Sequence, residues 1–249
     1  MDNPCISLRG LGFAYPNGLQ ALAPLDLDVG RDEFVAVLGP SGCGKSTLLR
    51  LIAGLLPAPS DGALRRRDDD AALACFFQSP ALMRWATVER NVRLPLTLAG
   101  RHDDAHVAQA LRLVGLDAFR DAYPRELSGG MQMRVSIARA LATQPRLLLL
   151  DEPFAALDEI TRQRLDAELR ALWARQSLTV MFVTHSIVEA VFLSTRIVVM
   201  SERPGRSVGE IAVDEARRDD DFRGSAGFAA YCAEAGRLLR AGMTASAIA

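Results

Sequence analysis

The chain has 249 residues, 30 acidic against 29 basic side chains, and a formal net charge of -1. That balance lacks the basic excess of a nucleic-acid binder, and 49% hydrophobic residues exclude a disordered chain. No apolar run approaches the roughly 18–20 residues that span a bilayer, and Met1-Asp2-Asn3-Pro4 does not begin a basic-then-apolar signal segment, so we expect any membrane role to run through a partner.

Ile6-Ser7-Leu8 reads as a strand, Pro16-Asn17-Gly18 as a turn, and Leu25 to Val29 as a period-two strand with one polar face. Glu33 to Leu38 reads as a buried strand running into glycines, followed by a helix from Ser46 to Ala53 closed by Gly54. Residues 62–77 suggest a hairpin returning to a strand at Ala74-Cys75-Phe76-Phe77, with Arg65 to Asp70 as a solvated turn. From Thr87 to about Asp121 the apolar spacing (Val88, Val92, Leu96, then Val107, Leu111, Val114) predicts helices, with Pro95 kinking or ending the first. Ser128 reads as the N-cap of a helix through Ala142. Leu147 to Leu150 reads as a strand, Asp158 to Gln176 as a helix, and Thr179 to Thr184 as a strand. Ile187 to Leu193 then reads as a helix and Ile197 to Met200 as a strand. The tail from Asp214 is amphipathic. Strands alternating with helices predict an α/β fold with a mostly parallel sheet. Cys5, Cys43, Cys75 and Cys232 lack metal-site spacing and read as reduced thiols; His102 and His106 read as surface residues.

Gly39-Pro40-Ser41-Gly42-Cys43-Gly44-Lys45-Ser46, followed by Thr47, matches the phosphate-binding loop G-x-x-x-x-G-K-[ST]. Glycines there let backbone N–H groups turn inward to cradle phosphates, and the helix that follows points its positive end at them. Lys45, the only lysine in the chain, is placed to reach the β- and γ-phosphates, and the Ser46 hydroxyl to bind Mg²⁺. In Leu147-Leu148-Leu149-Leu150-Asp151-Glu152 an apolar strand delivers two carboxylates to the carboxyl edge of the sheet, where ligands bind. Asp151 would hold Mg²⁺ through water, and Glu152 would polarise an attacking water.

Between these motifs lies Leu127-Ser128-Gly129-Gly130-Met131, and with it the chain resembles the ATP-binding cassette ATPases of membrane transporters over about Ile6 to Val213. The fifth signature position, more often glutamine, is Met131, with Gln132 one residue later. The resemblance implies a P-loop NTPase core with an N-terminal antiparallel β subdomain and a helical signature subdomain at about 80–142. It implies a domain over 1–213 and a helical tail over 214–249. It implies that Ser128, Gly129 and Gly130 grip ATP, that Gln78 senses Mg²⁺ and the permease, and that Asp158 lies in the loop crossing to a partner subunit. It further implies that His185 contacts the γ-phosphate and that Tyr15 stacks on adenine.

The segments Asp151 to Arg162, His185 to Ser194 and Arg203-Pro204-Gly205-Arg206 are similar to importer ATPases for nitrate, taurine and aliphatic sulfonates. That branch also includes importers of pyrimidine vitamin precursors and aromatic acids. The implied partners are a second copy in a head-to-tail ATP sandwich, membrane permease subunits and an extracytoplasmic solute-binding protein. The implied location is the cytoplasmic face of the membrane, with no nucleic acid bound. A soluble cassette ATPase of DNA repair or of ribosomes is the rival. Repair types carry a long coiled-coil insertion between the phosphate motifs, which is absent here, and ribosome types carry two cassettes. A scaffold with a dead site is disfavoured by Glu152 and His185.

Overall fold

The computed structural model describes residues 4–59, 63–66, 73–77, 80–155, 157–175, 178–215 and 217–244. Four short strands open the chain: β1 (Ile6–Leu8), β2 (Phe13–Ala14), β3 (Gln20–Leu22) and β4 (Leu27–Val29). β2 and β3 pair around the Pro16-Asn17-Gly18 turn, and β1 pairs antiparallel with β4, Ile6 opposite Val29. In β4, Leu27 and Val29 are buried and Asp28 is exposed, the period-two pattern of a half-solvated antiparallel strand. β5 (Phe34–Leu38) is buried on both faces and leads through the glycine loop to α1 (Lys45–Ile52), closed by Gly54 at φ +74°.

The next two strands correct the hairpin expected over 62–77. β6 (Leu64–Arg66) pairs antiparallel with β1, whereas β7 (Leu73–Phe76) lies in the larger sheet. Their compositions account for the split. β6 exposes Arg65 and Arg66 at a solvated edge, while β7 buries Ala74 and Phe76 under helices. Arg67 to Asp70, read as a turn, lie outside the described residues.

The helical lobe comprises α2 (Val88–Leu98), α3 (Asp104–Leu113) and α4 (Gly129–Leu141). Thr87, Asp103 and Ser128 cap them, each accepting from the N–H three residues on. α2 continues past Pro95; Val88, Val92 and Leu96 are all buried, and the Ala99 N–H still reaches the Pro95 carbonyl at 3.1 Å.

The chain then alternates: β8 (Leu147–Asp151), α5 (Glu159–Arg175), β9 (Thr179–Thr184), α6 (Ile187–Leu193), β10 (Arg196–Met200), β11 (Ser207–Ala212), α7 (Asp220–Arg223) and α8 (Ala226–Thr244). The main sheet has the order β11-β10-β5-β9-β8-β7, parallel from β10 to β7 with β11 antiparallel at the edge. Its side chains divide by parity. Phe34, Ala36, Leu38, Leu148, Leu150, Val180 and Phe182 face the helical lobe, α5 and α6. Val35, Val37, Leu147, Leu149, Met181 and Val183 face α1 and the N-terminal strands. A sheet covered on both faces needs continuous apolar runs, which these strands supply. The tail helix α8 packs on α6, β10 and β11. Among the described residues no helix is long and apolar enough to cross a membrane.

Candidate functional site

β9 lies between β5 and β8, with Leu38 opposite Thr184 and Asp151 opposite Val183. The carboxyl ends of three adjacent parallel strands therefore carry Gly39, His185 and the Asp151-Glu152 pair to one edge, the usual ligand edge of such sheets. The Gly39 N–H donates to the Thr184 carbonyl at 3.3 Å and the Glu152 N–H to the Val183 carbonyl at 3.0 Å, tying both turns to β9.

The glycine loop can close this tightly because Gly39 and Gly44 carry no side chain. A Cβ on Gly44, at φ +107°, would sit 2.6 Å from the Ala21 carbonyl, and one on Gly39 would sit 2.9 Å from Cys43 Sγ. Lys45 opens α1 and is 4% exposed. Its Nζ donates to the carbonyls of Gly39 (2.8 Å) and Pro40 (2.9 Å) and lies 4.0 Å from Glu152 Oε1. A cleft of about 260 Å³ runs along the loop, lined by Ser41, Gly42, Gly44, Lys45, Ser46 and Thr47. Tyr15, Leu19, Ala21, Glu152 and Arg203 complete its wall. Tyr15 is half-buried, meets Phe13 edge-on with ring centroids 5.0 Å apart, and shares a 2.9 Å hydrogen bond with Thr47 Oγ1. It thus packs at its turn and also faces the cleft.

The Ser46 hydroxyl donates to Asp151 Oδ1 at 2.9 Å. Asp151 is buried, and loss of hydration pushes its carboxyl above the usual range while the Ser46 hydrogen bond opposes that shift. Glu152 has φ +48°, a left-handed backbone that few non-glycine residues adopt. Its Oε1 lies 3.2 Å from Nδ1 of His185, whose side chain is half exposed. One carboxylate edge therefore meets both the loop ammonium and the imidazole.

Ser128, Gly129, Gly130 and Asp158 are not among the described residues lining this cleft. Ser128 and Gly129 are exposed at the start of α4. Asp158, also exposed, accepts the Thr161 N–H at 3.0 Å, which holds its carboxyl below the usual range. Gln78 and Ala156 lie outside the described residues. Two groups carry no role in the sequence reading. Glu189 is buried beneath the His185 turn and accepts from the Thr184 hydroxyl at 2.7 Å; its other oxygen is 3.5 Å from Arg162 Nε. Arg203 lies on the cleft wall. Both stand in segments with branch resemblance, but neither has a spacing rule that marks it.

The ABC transporter family profile matches residues 22–155. The taurine import ATP-binding protein TauB of Rhizobium johnstonii is 47% identical over 212 residues, covering 82% of this chain and 80% of the relative. The aliphatic sulfonates import ATP-binding protein SsuB 1 of Pseudomonas syringae pv. syringae is 45% identical over 196 residues, 79% of this chain and 81% of its own length. Among solved structures, the ATP-binding cassette MJ0796, a dimer in a post-hydrolysis state with ADP and Pi, superposes with a TM-score of 0.75 at 30% identity. That match covers 84% of this chain and 99% of that one. A glycine loop and two acids at one sheet edge, a helix capped by Ser128 outside that cleft, and these likenesses converge: the chain belongs to the ABC transporter family, as an ATP-binding, ATP-hydrolysing cassette.

Proposed function

We propose that this cassette powers import of a small anion or organic acid, of the nitrate, taurine or sulfonate class, through separate membrane permease subunits. The observation that carries the ATPase half is that Lys45, Ser46 and Glu152 line one cleft, with Asp151 hydrogen-bonded to Ser46 and His185 beside Glu152. The import half rests on the taurine and sulfonate importer relatives.

In this reading the P-loop, residues 39–47, wraps the phosphates and Tyr15 packs on adenine. Lys45 turns its ammonium from the loop carbonyls toward the β- and γ-phosphates. Ser46 and Asp151 offer hard oxygen donors 2.9 Å apart, a donor set that suits Mg²⁺, with substrate and water supplying the other ligands. When bound, Mg²⁺ would neutralise charge developing on the phosphates. Glu152 orients and polarises the attacking water, and His185 fixes that carboxylate and reaches the γ-phosphate. Gln78 couples the site to the permease. Ser128, Gly129 and Gly130, with Asp158, serve the cleft of a second copy, so two chains sandwich two nucleotides. The cassette then comprises 1–213, with its signature lobe at about 80–142 and the tail at 214–249. It works at the cytoplasmic face of the membrane, and a solute-binding protein supplies the solute.

The test is reconstitution with its permease in vesicles. Uptake of labelled taurine, an alkanesulfonate or nitrate should require ATP on the cassette side. Absence of a copurifying permease, or ATP turnover indifferent to it, would overturn the transport reading.

A further inference from the structure

The segment Arg203-Pro204-Gly205-Arg206 connects β10 to β11, and it is built into the nucleotide cleft. The Gly205 N–H donates to the Ala21 carbonyl at 3.0 Å, and the Ala23 N–H returns to the Gly205 carbonyl at 3.0 Å. The Ser201 N–H donates to the Arg206 carbonyl at 2.9 Å, closing the loop at its base. A Cβ on Gly205 would lie 2.2 Å from the Cys43 carbonyl oxygen and 2.5 Å from Met200 Cε, so only glycine permits this approach to the P-loop backbone. Ala21 is also the residue whose carbonyl crowds Gly44. The loop is thus fixed against both the P-loop and the strand beside it.

Arg203 stands two residues from that contact, with its side chain exposed on the cleft wall alongside Tyr15, Lys45 and Ser46. No carboxylate or carbonyl among the described residues pairs with its guanidinium. The charge balance explains why a free cation is useful there. On the cleft wall the Glu152 carboxylate lies beside Lys45, whose ammonium already donates to two carbonyls, and the buried Asp151 carboxylate stands behind Ser46. A triphosphate entering such a site needs further positive charge, and a guanidinium fork matches phosphate oxygens bidentately.

We propose that Arg203 is a second phosphate-binding cation of this cleft, donating hydrogen bonds to the phosphate chain of the bound nucleotide from a loop locked against the P-loop by Gly205. The proposal rests on the cleft being the ATP site and adds a ligand to it.

Calorimetric titration of the full chain with a non-hydrolysable ATP analogue, inorganic tripolyphosphate and adenosine tests it. Arg203→Ala should weaken the analogue and tripolyphosphate about fivefold each, the scale of one partly solvated charged contact, and leave adenosine unchanged. Arg203→Glu should weaken both further, and raised salt should shrink the difference between wild type and Arg203→Ala. Because the side chain is exposed, melting temperatures should match the wild type. Unchanged affinity of Arg203→Ala for both phosphates would overturn the proposal. So would a loss confined to the analogue with tripolyphosphate untouched, which would put the guanidinium on the base or ribose. Lys45→Ala separates the underlying reading: if it binds the analogue normally, the cleft is not the ATP site, whereas its failure beside a normal Arg203→Ala removes only the role of Arg203.

Discussion

Nδ1 of His185 and Oε1 of Glu152 lie 3.2 Å apart, although 32 residues separate them in the chain. The contact exists because β9 is inserted between β5 and β8, and it joins an imidazole at one strand end to a carboxylate held in a left-handed turn at the next. Glu152→Gln is expected to bind ATP, lose hydrolysis by about 100-fold or more, and accumulate an ATP-bound dimer in light scattering. His185→Ala should also lower turnover, and the double variant should be little worse than either alone, because the two groups act as a unit. Additive losses would separate them.

Lys45 is the only lysine, so an amine reagent has two targets, its Nζ and the chain's α-amino group. Mg-ATP should shield Lys45 and leave the terminus reactive, as read by peptide mass spectrometry. Lys45→Ala should weaken ATP binding about 10- to 100-fold, the scale of lost charge-assisted hydrogen bonds. Lys45→Arg should not rescue it: the Lys45 side chain is 4% exposed, with its ammonium held by two carbonyls, and a larger planar guanidinium does not suit a site shaped for an ammonium. Labelling of Cys43 offers no parallel check, since its thiol is buried and burial raises its pKa.

Glu189 braces two turns at once. It accepts from Thr184, whose hydroxyl in turn accepts the Ser186 N–H at 3.0 Å, and it faces Arg162, which donates to the Leu157 carbonyl at 2.9 Å. His185 and Asp158 sit on those turns. Glu189→Gln should lower kcat about tenfold, the scale of a sub-ångström displacement of a reacting group, with ATP affinity nearly unchanged. In a His185→Ala background the same change should cost little. Equal loss in both backgrounds would show that Glu189 does not act through the histidine.

Asp166 on α5 is buried, and Arg223 of α7 donates to its Oδ2 at 2.9 Å. Burial outweighs that pairing and pushes its carboxyl up to about 7. An unfolded chain releases this proton near pH ~4. Between those values the folded chain holds a proton that the unfolded chain lacks, so this group makes stability fall as pH rises from about 4 to about 7, then level off. Asp166→Asn should flatten that part of the profile in urea titrations from pH 5 to 8. Arg223→Ala strips the cation from a buried acid and should cost about 3 kcal/mol at pH 8.

Trp85 is 78% exposed, on a turn held by Asn91, whose buried amide bonds the backbone of Met83, Ala86 and Thr87. Leu82 packs against the lobe instead. Tryptophan is enriched at protein interfaces, so an exposed indole on a pinned turn suits a partner surface. Trp85→Asp should leave folding and ATP binding intact while abolishing permease-coupled uptake; a misfolded variant would assign Trp85 to packing.

The sequence by itself determined whatever is encoded within one element. The strand-glycine-helix unit at residues 33–54, the apolar strand ending in Asp151-Glu152 and the Ser128 cap each follow from a period of 2.0 or 3.6 or from a turn residue, so neighbouring residues suffice to show them. The tertiary structure decided the rest. Residues 62–77 read as one hairpin because two strands are close in the chain, yet β6 and β7 join different sheets, since only β7 is apolar enough to lie under helices. Strand order is set by packing across the whole sheet, so no local pattern could place His185 on Glu152 or Glu189 between Thr184 and Arg162. Arg203 shows the limit most plainly. Its loop reaches the cleft only because Gly205 leaves room for a carbonyl 162 residues earlier in the chain, at Cys43, and that clearance exists only once both segments are folded.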